Sequence, residues 1–418
     1  MIQRLAIVLL LALTTQAQLT AIKARRMFDG RSDTLRENVV VVVENGRIVS
    51  VGNAVPPNAK VIDLGDRTLL PGLIDCHTHI ALHSGDYDAQ MLRETPELRT
   101  IIATINGRKT LDAGVTTIRD LGNEGAGYAD IALRDAVAKG LIDAPRVVAA
   151  IRPVTSTGGY RMTGYSPYNA MPPLSSAADG VTEVRREVRK LIADGADVIK
   201  IYMESYEKKQ PHSDMLSGAE NYSQEEVSAL VEEAHRGGVK VAAHTYTDAS
   251  AHVAIAAGVD SIEHGLYLQE ETFRAMAQKG IVYVPTLMVY ELWRDGELFG
   301  GATGEMKAKL TRTCEAHAAS FKRALATPVK IAFGSDTFEK PGTNPMELEY
   351  MAKYGMRNAD VLRAATANAA ALLGVDAGTI EAGKLADLIA VDGNPLTDMK
   401  SIEKVTFVMR EGKVVRAQ

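Results

Sequence analysis

Two histidines one residue apart close an apolar run in Pro71-Gly72-Leu73-Ile74-Asp75-Cys76-His77-Thr78-His79. A strand sends alternate side chains to the same side, so His77 and His79 point together. Two same-side imidazoles a few ångströms apart can clamp a metal ion. Alone, His-x-His is also the pattern of two packed or surface histidines. Other positions narrow the reading. His244 and His264 end two later β-type runs, and Asp336 ends another in Phe333-Gly334-Ser335-Asp336. Lys200 lies inside the apolar run Val198-Ile199-Lys200-Ile201. A buried ammonium there is costly unless it is paired or neutralised. A lysine can also take up CO2 and become a carbamate, an oxygen ligand able to bridge two cations. Imidazole with carboxylate-type oxygen suits Zn2+, with Mn2+, Co2+ or Fe2+ as alternatives. His83, His212, His235, His252 and His317 have no strand-end context, and the last three read as helix-face residues. Cys76 should face away from the histidines as a buried apolar filler.

Gathering six such groups calls for parallel strands, whose carboxyl ends collect on one face of a barrel. Strands are expected at Gly72–Ile80, Val115–Asp120, Arg146–Ile151, Asp197–Met203, Val239–His244, Asp260–His264, Ile281–Thr286 and Val329–Asp336. Helical patterns separate them, for example Ala177–Ala193 and Gln224–Arg236, the latter opened by a capping box of Ser223 and Glu226. The spacing predicts an α/β chain with a (β/α)8 TIM barrel over residues 72–373, with a doubly wound sheet as the alternative. Short β-branched runs at both ends frame it: Thr20–Ala24, Val39–Val43, Arg47–Val51 and Val61–Leu64 before, Leu388–Val391, Thr406–Met409 and Lys413–Val415 after. Asn45-Gly46 and Glu411-Gly412 supply hairpin turns. Residues 18–71 plus 374–418 are expected to form one small β-sandwich built from both termini. The long connection Arg152–Gly180 is placed to cover the catalytic face as a lid.

With 47 basic against 52 acidic residues, the net charge of −5 argues against a partner of duplex nucleic acid. Two cysteines, Cys76 and Cys314, exclude a disulfide scaffold. At the amino terminus, Arg4, the nine-residue apolar run Leu5–Leu13 and small residues at Thr15 and Ala17 read as a signal peptide over residues 1–17. The expectation is export to a periplasm or medium. No later apolar run reaches the length of about 18 residues that a span needs, so no stable membrane anchor is expected in the mature form.

These motifs together resemble the amidohydrolase superfamily of metal-dependent hydrolases. Within it, they are similar to the imidazolonepropionase-related branch of prolidase-like and Xaa-Arg/Lys dipeptidases and ochratoxin-hydrolysing amidases. Ser261-Ile262-Glu263-His264-Gly265, Gly334-Ser335-Asp336 and the tail Gly378–Leu388 also carry the resemblance. It implies two divalent metal ions. His77, His79 and Asp336 would hold one, His244 and His264 the other, and carboxylated Lys200 would bridge both. Two cations lower the pKa of bound water towards neutrality. Asp336 would carry the proton to the leaving amine.

The resemblance implies hydrolysis of a small-molecule amide or dipeptide next to a free carboxylate, ochratoxin-type amides included, by a homo-oligomer. Candidate substrate contacts are Tyr160 and Arg161 in the long connection, Arg152 at the end of the third strand, and Tyr246. Tyr202, Glu204 and Tyr206 follow Lys200 and are further candidates for the pocket wall. Arginine suits a carboxylate because its fork donates two parallel hydrogen bonds. Thr157-Gly158-Gly159 is followed by Tyr160 where many relatives carry a histidine, which puts the inherited carboxylate site in question. The alternatives are a cyclic-amide hydrolase or deaminase on the same fold, or a non-catalytic binding protein. The apolar stretch Leu287–Trp293 must be covered by a helix, a pocket wall or a second copy.

Overall fold

Leu73–Thr78, Val115–Asp120 and Val198–Tyr202 are buried at every position. Burial without alternation is what a parallel strand covered on both faces requires. The computed structural model describes residues 18–166, 168–205, 214–298 and 301–417. The expected signal peptide over residues 1–17, Tyr206 and His212 lie outside them. Leu73–Thr78, Val115–Asp120 and Arg146–Ala149 form a three-stranded parallel sheet. A second sheet, also parallel, runs from Ser176–Ala177 and Val154–Thr155 through Val198–Tyr202, Lys240–Thr245 and Ser261–His264 to Val282–Val284. Its register sets Tyr202 beside His244 and Thr245 beside His264, so these strand ends share one level.

The expected strand at Val329–Asp336 is reduced to two bridges, Tyr283 to Ile331 and Thr78 to Thr337. Two of its backbone donors are diverted. The Phe333 amide donates to Ala364 O at 3.0 Å, and the Ser335 amide to the Asp75 carboxylate at 3.0 Å. The Asp336 amide still reaches His77 O at 2.8 Å, which ties the segment to the first strand. On the other flank Asp197 N donates to Ala149 O at 2.8 Å.

Helices alternate with these strands. Gln224–Arg236 has the expected bounds and both halves of its capping box. The helix expected from Ala177 begins at Gly180, because Ser176–Ala177 pairs with Val154–Thr155 instead. Among the described residues no helix is long and apolar enough to cross a membrane.

Both chain ends enter one eight-stranded sheet, in the order Lys413–Ala417, Val405–Arg410, Leu388–Asp392, Arg67–Pro71, Thr20–Met27, Arg36–Glu44, Arg47–Gly52, with Lys60–Asp63 beside Thr20–Met27. Arg67–Pro71 was not among the expected strands. It joins the two ends, pairing with Thr20–Met27 on one side and Leu388–Asp392 on the other. Asn45 and Gly46 turn with φ of 50° and 77°, and Glu411 and Gly412 with 47° and 76°. Ile22, Val41, Leu69, Leu388 and Phe407 close an apolar core of the sheet's own.

Candidate metal centre

The strand ends bring five of the proposed ligand side chains into ring or ion-pair contact, with Lys200 buried among them. Nε2 of His77 and of His79 lie 3.5 and 3.3 Å from Asp336 Oδ1. The candidate ligand atoms of these three residues all fall within 4.8 Å of one another. The His264 ring lies 5.0 Å from that of His77 and 4.4 Å from that of His244, centroid to centroid. Gly334 permits the approach: a Cβ there would stand 2.4 Å from Val284 Cγ1 and 2.9 Å from His77 Cβ. His264 and Asp336 hold φ of 69° and 52°, left-handed backbone that few non-glycine residues adopt. Such conformations persist only where the surroundings over-determine them.

The outer nitrogens of three imidazoles are already engaged. His77 Nδ1 meets Glu263 Oε2 at 2.9 Å, His79 Nδ1 meets Gly122 O at 2.7 Å, and His264 Nδ1 meets Thr286 Oγ1 at 2.8 Å. Glu263 is held in turn by Arg119 Nη2 at 2.8 Å and Ser261 Oγ at 2.5 Å. Partners of this kind fix ring orientation. Asp75 accepts from the amides of His77 and Ser335, from Ser335 Oγ and from Asn344. It thereby clamps the first strand to the loop that carries Asp336. Burial pushes its carboxyl up to about 6, against the pull of those hydrogen bonds.

Burial, and then the Lys200 charge, hold His77 and His244 well below the usual imidazole range. His264 is lowered by burial, His244 and Lys200. Neutral imidazoles keep a lone pair for a cation. At His79 burial also lowers the pKa, but the hydrogen bond and charge of Asp336, with Glu124 and Asp120, prevail and push it up to about 9. Lys200 is wholly buried, and its Nζ has no hydrogen-bond partner among the described residues. It lies 5.4 Å from the Tyr202 ring centre. Burial pushes it down to about 8, against the attraction of Glu263 and Asp336.

A cavity of about 340 Å³ opens over His79 and Asp336. Its wall takes the chain's one tryptophan, Trp293, with Tyr87, Tyr160, Tyr202, Tyr246, Tyr290 and Phe338. Aromatic residues are only 5% of the chain, so this is a concentration. Tyr160, Arg161 and Tyr246 line it as expected. Arg152 does not; its charge is felt at Asp194, which ends the helix Gly180–Ala193. The chain leaves the third strand through Ile151 with φ of 68°, and this turn carries the next side chain off the cavity wall. Glu204 is not in the wall either. It is buried, accepting from the amides of Tyr246 and Thr247. Leu287–Arg294 is a helix whose Val289, Tyr290 and Trp293 form one side of the cavity.

Of the remaining histidines, His83 pairs with Glu94, while His235, His252 and His317 lie on helices. Cys76 packs in an apolar cluster. Sequence reasoning passed over Glu124, which lines the cavity beside His79, and the Glu263–Arg119 pair beneath His77. Glu263 carried the same signal as Lys200, an ionisable residue inside a buried strand. Glu124 carried a fainter one, a carboxylate just past a strand end.

Imidazoles and a carboxylate gathered at parallel strand ends under an aromatic cavity sit in a chain whose family and relatives make it a hydrolase acting on C–N bonds. The chain belongs to the amidohydrolase family, whose sequence pattern matches residues 68–415. It is 32% identical to the ochratoxinase of Aspergillus niger, over 98% of this chain and 89% of that protein. It is 27% identical to the imidazolonepropionase of Sphingopyxis alaskensis, over 86% and 88%. Among solved structures, a Xaa-Pro dipeptidase with methionine bound in its active site superposes with a TM-score of 0.87 at 33% identity, covering 96% of this chain and all of that one.

Proposed function

We propose that the protein is an exported, binuclear metal-dependent hydrolase that cleaves an amide bond next to a free carboxylate. Dipeptides and N-acyl amino acids fit, ochratoxin-type amides among them. The observation that carries the metal reading is Lys200: a buried amine at the ligand cluster, without a hydrogen-bond partner among the described residues, calls for neutralisation or for conversion to an anion. With its pKa lowered to about 8, roughly a tenth is the free amine at pH 7, far more than for an ordinary lysine. Free amine can add CO2, forming an N–C bond and releasing a proton.

The donor set fits divalent cations, Zn2+ first among them. His77, His79 and Asp336 would hold one, His244 and His264 a second, and carboxylated Lys200 would lie between. Bound cations supply carbonyl polarisation and a lowered pKa of water. The Asp336 carboxylate would hold the water proton at Oδ and pass it to the leaving amine. Arg161, in the cavity wall, would receive the substrate carboxylate. The aromatic wall would exclude water and take an apolar side chain. The ochratoxinase and dipeptidase relatives support the same substrate class.

The scaffold in this reading is a (β/α)8 barrel over residues 72–373, with 331–337 as its eighth stave and the Asp197–Ala149 hydrogen bond closing the seam. The sheet of residues 18–71 and 374–418 would fold over its own core as a sandwich. Residues 1–17 would be removed on export. Leu98, Ile101 and Ile105, exposed along the helix Pro96–Asp112, support a homo-oligomer.

Metal analysis and kinetics on a library of dipeptides and N-acyl amino acids test the proposal. Two metals per chain and turnover of carboxylate-bearing amides are expected. One metal per chain would favour a deaminase-like site, and no turnover of any C–N substrate by the loaded protein would overturn the activity.

A further inference from the structure

We propose that Glu124 receives the free α-ammonium group of the substrate, so that the site prefers unblocked dipeptides over N-acyl amino acids. The inference rests on the amide-hydrolase reading above and narrows it. Glu124 follows the strand Val115–Asp120 and is 2% exposed, with φ of 50°. Its Oε2 accepts from Tyr87 Oη at 2.7 Å and Tyr160 Oη at 2.8 Å. Those two bonds tie the helix Tyr87–Arg93 to the long connection and aim the carboxylate. Oε1 takes no hydrogen bond from the described residues.

Two structural roles for Oε1 can be weighed. The first is to orient His79. Oε1 lies 3.7 Å from His79 Nδ1, beyond hydrogen-bond range, and that nitrogen already meets Gly122 O at 2.7 Å. The second is to neutralise the buried Arg99. The Glu124 charge is felt there, together with that of Glu94, but the Arg99 nitrogens donate to Ala81 O, Gln90 O, Asn123 O and Met91 Sδ, so this role leaves Oε1 without a donor. A carboxylate oxygen on a cavity wall without a donor among the described residues is therefore set for one that a substrate brings.

Its place says which donor. Glu124 lies on the Nδ1 side of the His79 ring, while Asp336 lies on the Nε2 side. In the proposed site the reacting carbonyl would lie on the Asp336 side, across the His79 ring from Glu124. In an unblocked peptide the α-ammonium nitrogen is about 2.5 Å from the carbonyl carbon of its own residue, as bond lengths and the N–Cα–C angle dictate. An α-ammonium is the donor that this closeness to the scissile carbonyl selects. An ammonium to carboxylate contact is a charge-assisted hydrogen bond. The faces of Tyr160 and Tyr202, packed edge to face at 4.9 Å, add aromatic surface that also favours a cation. Arg161 lines the same cavity, so one end of a zwitterion would meet Glu124 and the other Arg161.

The test compares three substrates on the metal-loaded enzyme: a dipeptide, its N-acetyl derivative, and its des-amino analogue, which has the same skeleton without the ammonium. The wild type should favour the dipeptide in kcat/KM by about 10- to 100-fold over the des-amino analogue, the size of one hydrogen bond to a charged group. Glu124→Gln keeps an acceptor for both tyrosine hydroxyls and loses the charge. It should lose that factor on the dipeptide, change little on the other two, and keep its metal content and Tm. Equal wild-type rates on dipeptide and des-amino analogue would overturn the proposal, as would equal losses in Glu124→Gln on all three. The wild-type comparison decides even if the variant is unstable. If none of the three is cut, the hydrolase reading fails separately. Calorimetric binding of the dipeptide and its des-amino analogue then decides, and equal affinity would overturn the role of Glu124.

Discussion

In the terminal sheet, Ile22, Val41, Leu69, Leu388 and Phe407 face one another, while charges such as Lys23 and Asp63 stand at the surface, 2.6 Å apart and about half exposed. At the ends of the parallel strands the buried residues are themselves charged: Asp75, Arg119, Lys200, Glu263 and, past the second strand, Glu124. The sheet follows the usual pattern of an apolar core under a polar surface. The strand ends invert it, and they also hold left-handed backbone at Glu124, Ile151, His264, Thr286 and Asp336. Each such residue costs on the order of 1–3 kcal/mol. The difference teaches where to look for function: in the terminal sheet the left-handed residues Asn45 and Glu411 sit in exposed hairpin turns, whereas at the strand ends such backbone coincides with buried charge.

The sharpest way to break this contrast is at Lys200. Lys200→Ala removes the amine and, in the proposed site, the bridge between cations. It should lower kcat/KM by about a thousandfold or more, the worth of several kcal/mol of charge stabilisation. A short carboxylic acid in the assay should restore part of it by supplying an oxygen ligand. Undiminished activity in the untreated variant would remove Lys200 from the centre.

A second pair of changes sets the regions side by side. Arg119→Ala leaves Glu263 buried without its partner and should destabilise the fold by about 3–5 kcal/mol. Because Glu263 orients His77, metal content should fall as well. Phe407→Ala empties a buried aromatic site in the terminal sheet and should cost a similar amount, about 3–5 kcal/mol. There kcat/KM of the folded fraction should not change. Urea unfolding with metal analysis separates the two outcomes, and equal loss of metal in both variants would erase the distinction.

Periodicity explains how much of this was legible. Strands buried on both faces and ended by His77, His79, His244 and His264 announced themselves, because a histidine or lysine in an apolar run has few bland explanations. The two Gly-containing turns were readable for the same local reason. Arg67–Pro71 was missed because its five residues carry no alternation and earn strand status only from partners far away in the chain. The eighth strand is shorter than expected because two of its amides, Phe333 and Ser335, answer to Ala364 and Asp75, while Ala332 and Asp336 still reach Tyr283 O and His77 O. Arg152 and Glu124 show the limit most plainly. Both lie just past strand ends, and only the backbone turn decides which one faces the cavity.

Arg161 sharpens the comparison within the site. If it holds the substrate carboxylate, Arg161→Ala should lower kcat/KM by about 10- to 100-fold on substrates with a free carboxylate. Amidated substrates should be far less affected, since they never used the charge-assisted pair. Equal losses on both would move the carboxylate site to Tyr160 or Tyr246.

Glu347 offers a test by pH. Its carboxyl is buried, accepts from the amides of Leu287 and Met288, and is pushed well above the usual range by burial. Above the unfolded value of 4.5 the folded chain binds more protons at this site than the unfolded chain does. Stability from this group therefore falls as pH rises through that window, by at most about 1.4 kcal/mol per pH unit. Glu347→Gln cannot titrate, so its unfolding free energy should decline less steeply than the wild type's above that pH. Parallel curves would show that the carboxyl does not hold its proton in the fold.

The smallest effect is expected at the surface of the terminal sheet. Lys23 and Asp63 form one of the shorter ion pairs in the chain, yet both side chains are about half in water. Water and salt screen such a pair, and fixing two long side chains costs entropy. Lys23→Ala should therefore change stability by less than about 1 kcal/mol and leave kcat/KM unaltered. Set against Arg119→Ala, it makes burial the only large variable: both remove a cation from a carboxylate at 2.6–2.8 Å. A loss at Lys23 approaching that at Arg119 would mean that proximity, rather than burial, sets the worth of a charge pair here. The inverted chemistry of the strand ends would then no longer distinguish them from the sheet.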